Sequence, residues 1–421
     1  MTALLTLAMR SAWNRRFVLA LVSASIALST LLLLGIERLR HDVRENFSQA
    51  VSGTDLIVGA RTGPVQLLLY SVFHIGNATN NIRWTSAQAL AQHRAVAWMV
   101  PISLGDSHRG FAVMGTTLDY FERFRHGDRE RLKLAQGKPF EGVFEAVLGA
   151  EVAHRLGYHL GDAIVLSHGD GAFHDNDHDD KPFKVVGILA PTGTPVDRTV
   201  HIGLNAMEAV HLDWQAGAHL PGRKVTAEEA EHDHDLTPKT LTAVLLGLKN
   251  RAAVFSVQRE VAAFRDEPLL AILPGVALDE LWDVVGVGER GLLAMSALVS
   301  VVSLAGLVAV ILAGLNERRR ELAILRAVGA GPRQVLLLLA LEGALVTAVG
   351  VAFGLLLGAL ALALGAGWVQ ARFGIGLGLA APSAAEWQLV GALLGAGWLA
   401  SLLPGWRAYR LSLNDGLSPR I

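Results

Sequence analysis

At 421 residues the chain is long enough for two or three domains, and its formal net charge of −1, from 37 Lys and Arg against 38 Asp and Glu, leaves no basic surplus for a nucleic-acid backbone. Hydrophobic residues make up 52% of the chain and the mean hydropathy is +0.38, values high for a water-soluble globule. There is no cysteine, which excludes disulfides and thiolate metal sites but leaves the compartment open.

Residues 1–16 carry Arg10, Arg15 and Arg16 and no acid, and Phe17–Ile36 then runs without a charge. At about 1.5 Å per residue this run covers about 30 Å, one hydrocarbon core. A cleaved signal peptide is the competing reading, but the run is long for one and no small-residue cleavage site precedes Glu37, Arg38 and Arg40. It is read as an uncleaved first span.

Residues 37–290 form the largest polar stretch. Glu37–Val51 continues helically from the span as a stalk. Thr54–Ala60 alternates toward a strand, and Thr85–His93 reads as a helix capped by Thr85 or Ser86. Ala95–Ser103 and Arg109–Thr116 read as strands, and Ala146–Leu160 as a helix stopped at Gly157 or Gly161. Strands at Ala163–Ser167, Phe183–Leu189, Thr199–Gly203 and Ala243–Leu248 alternate with helices at Leu204–His211 and Arg251–Arg265, and Leu278–Glu289 leads out as a second stalk. This order implies an α+β domain.

Gly291–Leu315 is a second uncharged run, residues 335–365 a third span and Trp387–Trp406 a fourth, with a short loop at 366–386 and a tail at 407–421. Gly350, Gly354 and Gly358 form GxxxGxxxG and Gly391 and Gly395 another GxxxG, patterns that let helices approach closely in lipid, within one chain or between two. Glu342 is an acid inside the third span, readable as an interfacial partner for arginine or as a coupling or substrate-path group. Pro404 should kink or end the fourth. The fold class is therefore an α-helical membrane protein of four transmembrane helices with a large α+β extracytoplasmic domain.

Between spans two and three, residues 316–334 carry Arg318, Arg319, Arg320, Arg326 and Arg333, with the acids Glu317 and Glu321 only at the start. Leu322, Leu325 and Val328, with Ile324 beside them, recur at helical spacing, and Gly329 and Gly331–Pro332 stop the pattern. The segment reads either as a basic amphipathic helix offering a face to a partner or as a charged loop that only fixes topology. The arginine distribution places it, and both termini, in the cytoplasm, and residues 37–290 outside.

These residues carry a resemblance. ERRRELAILRAVGAGPRQV resembles the cytoplasmic loop of ABC-transporter permeases of the MacB/FtsX/LolC type, and VLGAEVAHRLGYHLGD, FKVVGILAPTGTPVDRTVHIGL and ILPGVALDELWDVVG resemble the MacB-like periplasmic core domain and its stalk. The resemblance implies a permease subunit without a fused nucleotide-binding domain, working as a homodimer with a separate ABC ATPase that holds the ATP, in a bacterial inner membrane. A periplasmic adaptor or lipoprotein is a further implied partner. Arg318, Arg319, Arg320, Glu321, Arg326 and Gly329 are the residues it offers for the ATPase contact. The work implied is export or the handling of envelope substrates by mechanotransmission, with no catalysis in this chain.

The polar inserts at Gly169–Asp180 and Ala218–Pro238 depart from the family pattern. All 15 histidines lie between His41 and His234, and two patches in these inserts, HDNDHDD and EHDHD, offer His174, Asp177, His178, His232 and His234 as ligands for Zn²⁺ or a related ion, or are simply solvated loops. On the metal reading the alternative function is a signalling or regulatory membrane protein whose outer domain senses zinc. A third is an ATPase-independent adaptor for an envelope enzyme. Gly286, Gly288 and Gly291 spell GxGxxG but lack a βαβ setting and read as a flexible stalk junction. GxxxxGK[ST] and GxSxG are both absent, which removes a P-loop and a nucleophile elbow from consideration.

Overall fold

Apolar runs of this length satisfy their backbone in lipid only as helices. In the computed structural model, Arg16–Ala50, Pro274–Glu317, Pro332–Phe373 and Ala384–Arg410 are four described helices long and apolar enough to cross a membrane. The structure describes residues 15–50, 52–168, 178–212, 214–215, 218–219, 225–317, 319–373 and 381–410. The chain divides into two compact units, one of residues 1–42, 286–368 and 377–421, the other of residues 43–285 and 369–376.

In the first unit an apolar cluster that includes Ile26, Leu33, Leu307, Ile311, Leu339, Val346 and Leu393 fills the space between the long helices. Small polar groups pair inside it: the Ser25 and Ser303 hydroxyls meet at 2.9 Å. Arg38, buried, lies 3.6 Å from the Asp42 carboxylate one turn on and 3.5 Å from Glu386. Glu386 also closes a capping box, accepting the Ser383 N–H at 2.5 Å while its own N–H reaches the Ser383 hydroxyl at 3.2 Å. One buried charge set thus ties the start of the fourth span to the end of the first. Glu342 is buried. Two expectations change. Gly286, Gly288 and Gly291 lie inside one unbroken helix rather than a flexible junction, since its hydrogen-bond ladder outweighs glycine's cost of about 1 kcal/mol per residue. The last helix continues past Pro404 to Arg410, so that proline does not end it.

The second unit is built on one mixed sheet. Its strands in chain order are β1 (Leu56–Ala60), β2 (Val96–His108), β3 (Phe111–Thr116), β4 (Leu134–Gly137), β5 (Glu145–Leu148), β6 (Ala163–Ile164), β7 (Ser167–His168), β8 (Phe183–Leu189), β9 (Thr199–Gly203), β10 (Ala243–Leu248) and β11 (Leu269–Ile272). Their spatial order is β11-β1-β10-β2-β3-β9-β5-β8-β4, with β7 added to β2 and β6 to β8. The β3–β9 and β5–β8 pairs are parallel and the rest antiparallel. Apolar clusters pack around Val100, Ile102 and Leu245, around Val113, Val147's neighbours Ala146 and Leu148, and Val200, and around Leu56, Val58 and Val244.

Here too the structure differs locally from expectation. The segment from Ala146 opens as strand β5 and turns helical only at Ala150–Leu156. Ala146, Val147 and Leu148 are fully buried, and Gly149 lets the chain turn against the carbonyls of Val196 and Asp197 where a Cβ would clash. Gly157, at φ 70°, ends the helix as expected. The helix Trp84–Ala91 has Arg83 as its N-cap residue, without a side-chain cap from Thr85 or Ser86. Helix Pro64–Val72 and strand β11 carry no expectation from the sequence reading.

Two imidazoles, His201 fully buried and His74 half-buried, bear on stability. His201 donates from Nδ1 to the Val147 carbonyl at 3.2 Å beside the Tyr120 and Phe121 rings, and His74 hydrogen-bonds the Thr199 hydroxyl at 3.1 Å. Burial pushes His201 down to about 3 and His74 to about 4 from the ordinary 6.5. Below pH 6.5 the unfolded chain takes up these protons and the folded domain does not, so stability falls as pH drops from 6.5 toward 4. The urea midpoint of the full chain should fall across this window, and more shallowly in His201→Leu. Parallel pH profiles for the two proteins would show that His201 contributes nothing to the acid limb.

Candidate functional site

The loop between the second and third long helices contains the helix Arg319–Ala327, which holds Arg319, Arg320, Glu321 and Arg326; Arg318 lies outside the described residues. Leu322 and Ala323 are buried and Leu325 packs against the span cluster. Ile324 and Val328 instead face outward, 53% and 84% exposed. The apolar residues expected on one face are therefore divided between the bundle and the surface. The helix ends in a Schellman arrangement: Ala330 N–H reaches the Leu325 carbonyl at 3.0 Å and Gly329 N–H that of Arg326 at 3.1 Å. Gly329 makes this possible at φ 105°, a value that L side chains rarely adopt. Gly331 and Pro332 then open the next helix, with Gln334 Oε1 accepting the Gly331 N–H at 3.0 Å. A helix whose sequence carries arginines beside exposed apolar residues, closed at its C-terminal end, is suited to docking a folded partner.

The glycine rows separate. A Cβ at Gly350 would come within 2.8 Å of Ile26, one at Gly354 within 2.6 Å of Thr30 and 2.7 Å of the Ala27 carbonyl, and one at Gly358 within 3.7 Å of Leu31. This row faces the first span of the same chain. At Gly391 and Gly395 a Cβ would meet nothing within 4 Å, so the close approach expected there is made elsewhere on that helix, where Gly397 lies against Thr347 and Ser401 against Gly343.

Of the expected metal ligands, His174 and Asp177 lie outside the described residues. His232 sits on the helix Ala227–Asp233, started by a Thr226–Glu229 capping box, with its Nδ1 3.1 Å from the Glu228 carbonyl, and His234 ends that helix. Among the described residues neither joins a group of three metal-ligating side chains. His178 does, with partners the sequence reading passed over: Asp106, His168, His178 and His211 each offer one ligand atom, all within 4.8 Å of one another.

Each is placed by backbone structure. Asp106 follows Gly105, the extra residue of a bulge where β2 shifts register against β3, and pairs directly with His168 of β7. His211 is the C-cap residue of the helix Leu204–Val210, and His178 N–H donates to the Leu166 carbonyl at 2.8 Å. Asp106 Oδ1 lies 3.0 Å from His168 Nδ1 and 3.4 Å from His211 Nε2, and those two nitrogens are 3.2 Å apart. His211 Nδ1 donates to the Met207 carbonyl at 2.7 Å, which turns Nε2 into the cluster. Burial opposes the Asp106 charge, but hydrogen bonds from His168 and His211 outweigh it and hold the carboxyl below the usual range. His211 is pulled down by burial yet ends above its ordinary value because of Asp106, while burial brings His178 to about 4 and keeps it neutral. Asp106 and His168 also line a cleft of about 690 Å³ whose wall includes Tyr70, His74, Asn81 and Thr242. The available signal in the sequence was His178, which the HDNDHDD patch already offered as a ligand, with His168 just before that insert; Asp106 and His211 carry no local mark.

Residues 18–264 match the MacB-like periplasmic core domain and residues 293–413 the FtsX-like permease C-terminal region. Among solved structures the chain is similar to the periplasmic region of MacB from Actinobacillus actinomycetemcomitans, at 11% identity over 56% of this chain and 95% of that one, with a TM-score of 0.34. It is also similar to the extracellular domain of the noncanonic ABC-type transporter YknZ from Gram-positive bacteria, at 12% identity over 52% and 99% of the two chains, with a TM-score of 0.30. No curated protein sequence matches it.

The glycine geometry separates two substitutions. Gly354→Val should destabilise the purified chain by about 1–3 kcal/mol through overpacking against Thr30, whereas Gly395→Val should stay within about 0.5 kcal/mol. Unfolding in graded sodium dodecyl sulfate measures both, and equal losses would contradict this placement of the helices.

Proposed function

The chain belongs to the family of permeases that join a MacB-like periplasmic core domain to an FtsX-like C-terminal region, and from that membership we propose that it couples ATP hydrolysis by a separate ABC ATPase to motion of its outer domain. It is a permease of the ABC-transporter type, and permeases of this family work with ABC ATPases and are themselves non-catalytic membrane components. The reading goes further in assigning the contact. Arg318, Arg319, Arg320, Glu321 and Arg326 meet the ATPase, with Gly329 holding the end of the helix that presents them.

The observation that carries this reading is the short helix Arg319–Ala327 itself, set between the long helices Pro274–Glu317 and Pro332–Phe373. Exposed Ile324 and Val328 supply desolvated contact area, and the arginines supply charge-assisted hydrogen bonds to a carboxylate-bearing groove. Nucleotide-driven movement of the ATPase would shift this helix and, through it, the spans on either side. The helices Arg16–Ala50 and Pro274–Glu317 are the covalent routes by which such motion reaches residues 43–285. A hydrogen-bonded helix transmits force along its axis with little loss, which suits a mechanical relay between two bistable ends. In this role the protein acts as a homodimer with two ATPase copies in the inner membrane, its outer domain in the periplasm engaging an adaptor, a lipoprotein or another envelope substrate.

The test is ATP hydrolysis by the partner ATPase reconstituted with this chain in lipid. Arg320→Glu combined with Arg326→Glu should lower permease-dependent hydrolysis by about tenfold and weaken co-purification, as charge reversal at an interface does. Undiminished stimulation and binding by the double variant would refute the assignment. Because the natural chain lacks cysteine, Gly331→Cys provides a single label whose accessibility from the cytoplasmic side checks the topology.

A further inference from the structure

We propose that Asp106, His168, His178 and His211 bind a divalent transition-metal ion of the Zn²⁺ class in the outer domain, at a site that takes only His178 from the histidine-rich inserts that the sequence brings to notice. The proposal is independent of the ATPase-coupling assignment and would stand if that failed.

The geometry is the first argument. In a tetrahedral zinc site with bonds of about 2.0–2.2 Å, neighbouring ligand atoms lie about 3.3–3.6 Å apart. Asp106 Oδ1, His168 Nδ1 and His211 Nε2 already form a triangle with sides of 3.0, 3.4 and 3.2 Å. A cation seated above that triangle needs only slight expansion of it. The fourth ligand, His178, has a ring nitrogen within 4.8 Å of the other ligand atoms, and its ring stands edge-on to His211 with centroids 5.4 Å apart. Closing this last gap requires a small shift of one side chain.

The donor set is the second. Three imidazoles and one carboxylate are the borderline-soft combination that Zn²⁺ prefers to Mg²⁺ or Ca²⁺, which call for oxygen ligands throughout. The other oxygen of Asp106, Oδ2, is buried without a hydrogen-bond partner among the described residues. A buried carboxylate oxygen in that position is costly unless a cation offsets it.

The supporting shell is the third. Liganding histidines characteristically donate their other ring N–H to a carbonyl or carboxylate, and His211 Nδ1 does so to Met207 at 2.7 Å. Asp106 and His168 are locked opposite one another by strand pairing, so two of the ligands stand on rigid backbone. The ion also has a way in, since Asp106 and His168 form part of the wall of the cleft and the His168 side chain is 34% exposed. Buried Lys181 brings a positive charge into the neighbourhood, offset by Asp180 at 3.5 Å.

The experiment uses the full-length chain in detergent, stripped with chelator and titrated with Zn²⁺ against a chromogenic competitor, with Co²⁺ as a spectroscopic probe. The expected result is one tight Zn²⁺ per chain and, with Co²⁺, the intense visible absorption of tetrahedral coordination. Asp106→Asn and the His168→Gln, His211→Gln double variant should each weaken Zn²⁺ binding by about tenfold or more and lose the Co²⁺ bands. A variant with His174, His232 and His234 all changed to Gln should keep both. Circular dichroism and the melting temperature without metal establish that the variants fold, and Zn²⁺ should raise the melting temperature of the natural protein but not of Asp106→Asn. Absence of stoichiometric Zn²⁺ in the natural protein, or binding that survives loss of Asp106, His168 and His211, or binding lost with His174, His232 and His234, would each overturn the proposal.

Discussion

The outer domain depends on one strand. β2 pairs with β10 along its first half and with β3 along its second, and receives β7 at its end. β2 changes partner along its length, and its ladder with β3 is interrupted by a bulge at Gly105. Thr242 repairs the local damage, its hydroxyl accepting the Leu104 N–H at 2.9 Å. Beyond the bulge Asp106, Ser107 and His108 are all buried. The same irregularity that joins the two halves of the sheet thus carries a carboxylate into the interior, where histidines from β7 and from the end of a neighbouring helix meet it.

The spans obey a different constraint. Lipid supplies no hydrophobic force between helices, so association rests on close packing and on polar groups that find partners inside. The row Gly350, Gly354 and Gly358 provides the first against the helix Arg16–Ala50, and the Ser25–Ser303 pair provides the second. Arg38 with Asp42 and Glu386 is the expensive element, since removing one partner from a buried charge set costs about 3–5 kcal/mol. Such a set is weak as a source of net stability but specific in geometry: it is satisfied only when the first residues of the fourth span stand beside the last of the first.

How much of this could be read beforehand follows from the range of each interaction. The four spans rest on runs such as Phe17–Ile36, a signal contained in one stretch of chain, and they were legible with their basic flanks. Strands β8, β9 and β10 were legible for the same reason, being short apolar runs with turn residues beside them. Residues 146–148 were misread because Val-Leu followed by a helical pattern fits either element, and only the partner strands β8 and β9 decide for strand. The candidate metal centre was legible in one residue of four. HDNDHDD and EHDHD draw notice because ligands crowd together in sequence, yet coordination needs donors about 3.3–3.6 Å apart converging from several directions, and consecutive residues in a loop seldom converge. Asp106 and His211 are far apart in the chain and are brought together by a β-bulge and a helix end that no local pattern announces.

The two units are held together by different means. The span bundle relies on a close glycine row and one buried charge set. The outer domain relies on its sheet. Here each side of β2 is locked by a ladder, and each face of the sheet by a buried apolar cluster. A one-residue slip in any of these ladders would turn core side chains such as Val113 and Leu245 outward. Register is therefore the feature that resists deformation, and the bulge at Gly105 is one of the places where it is interrupted, because one residue there is left out of the pairing. A cation held by Asp106 and His168 would bind β2 to β7 across that point, and through His211 would add the adjoining helix, placing metal–ligand bonds at an interruption of the ladder.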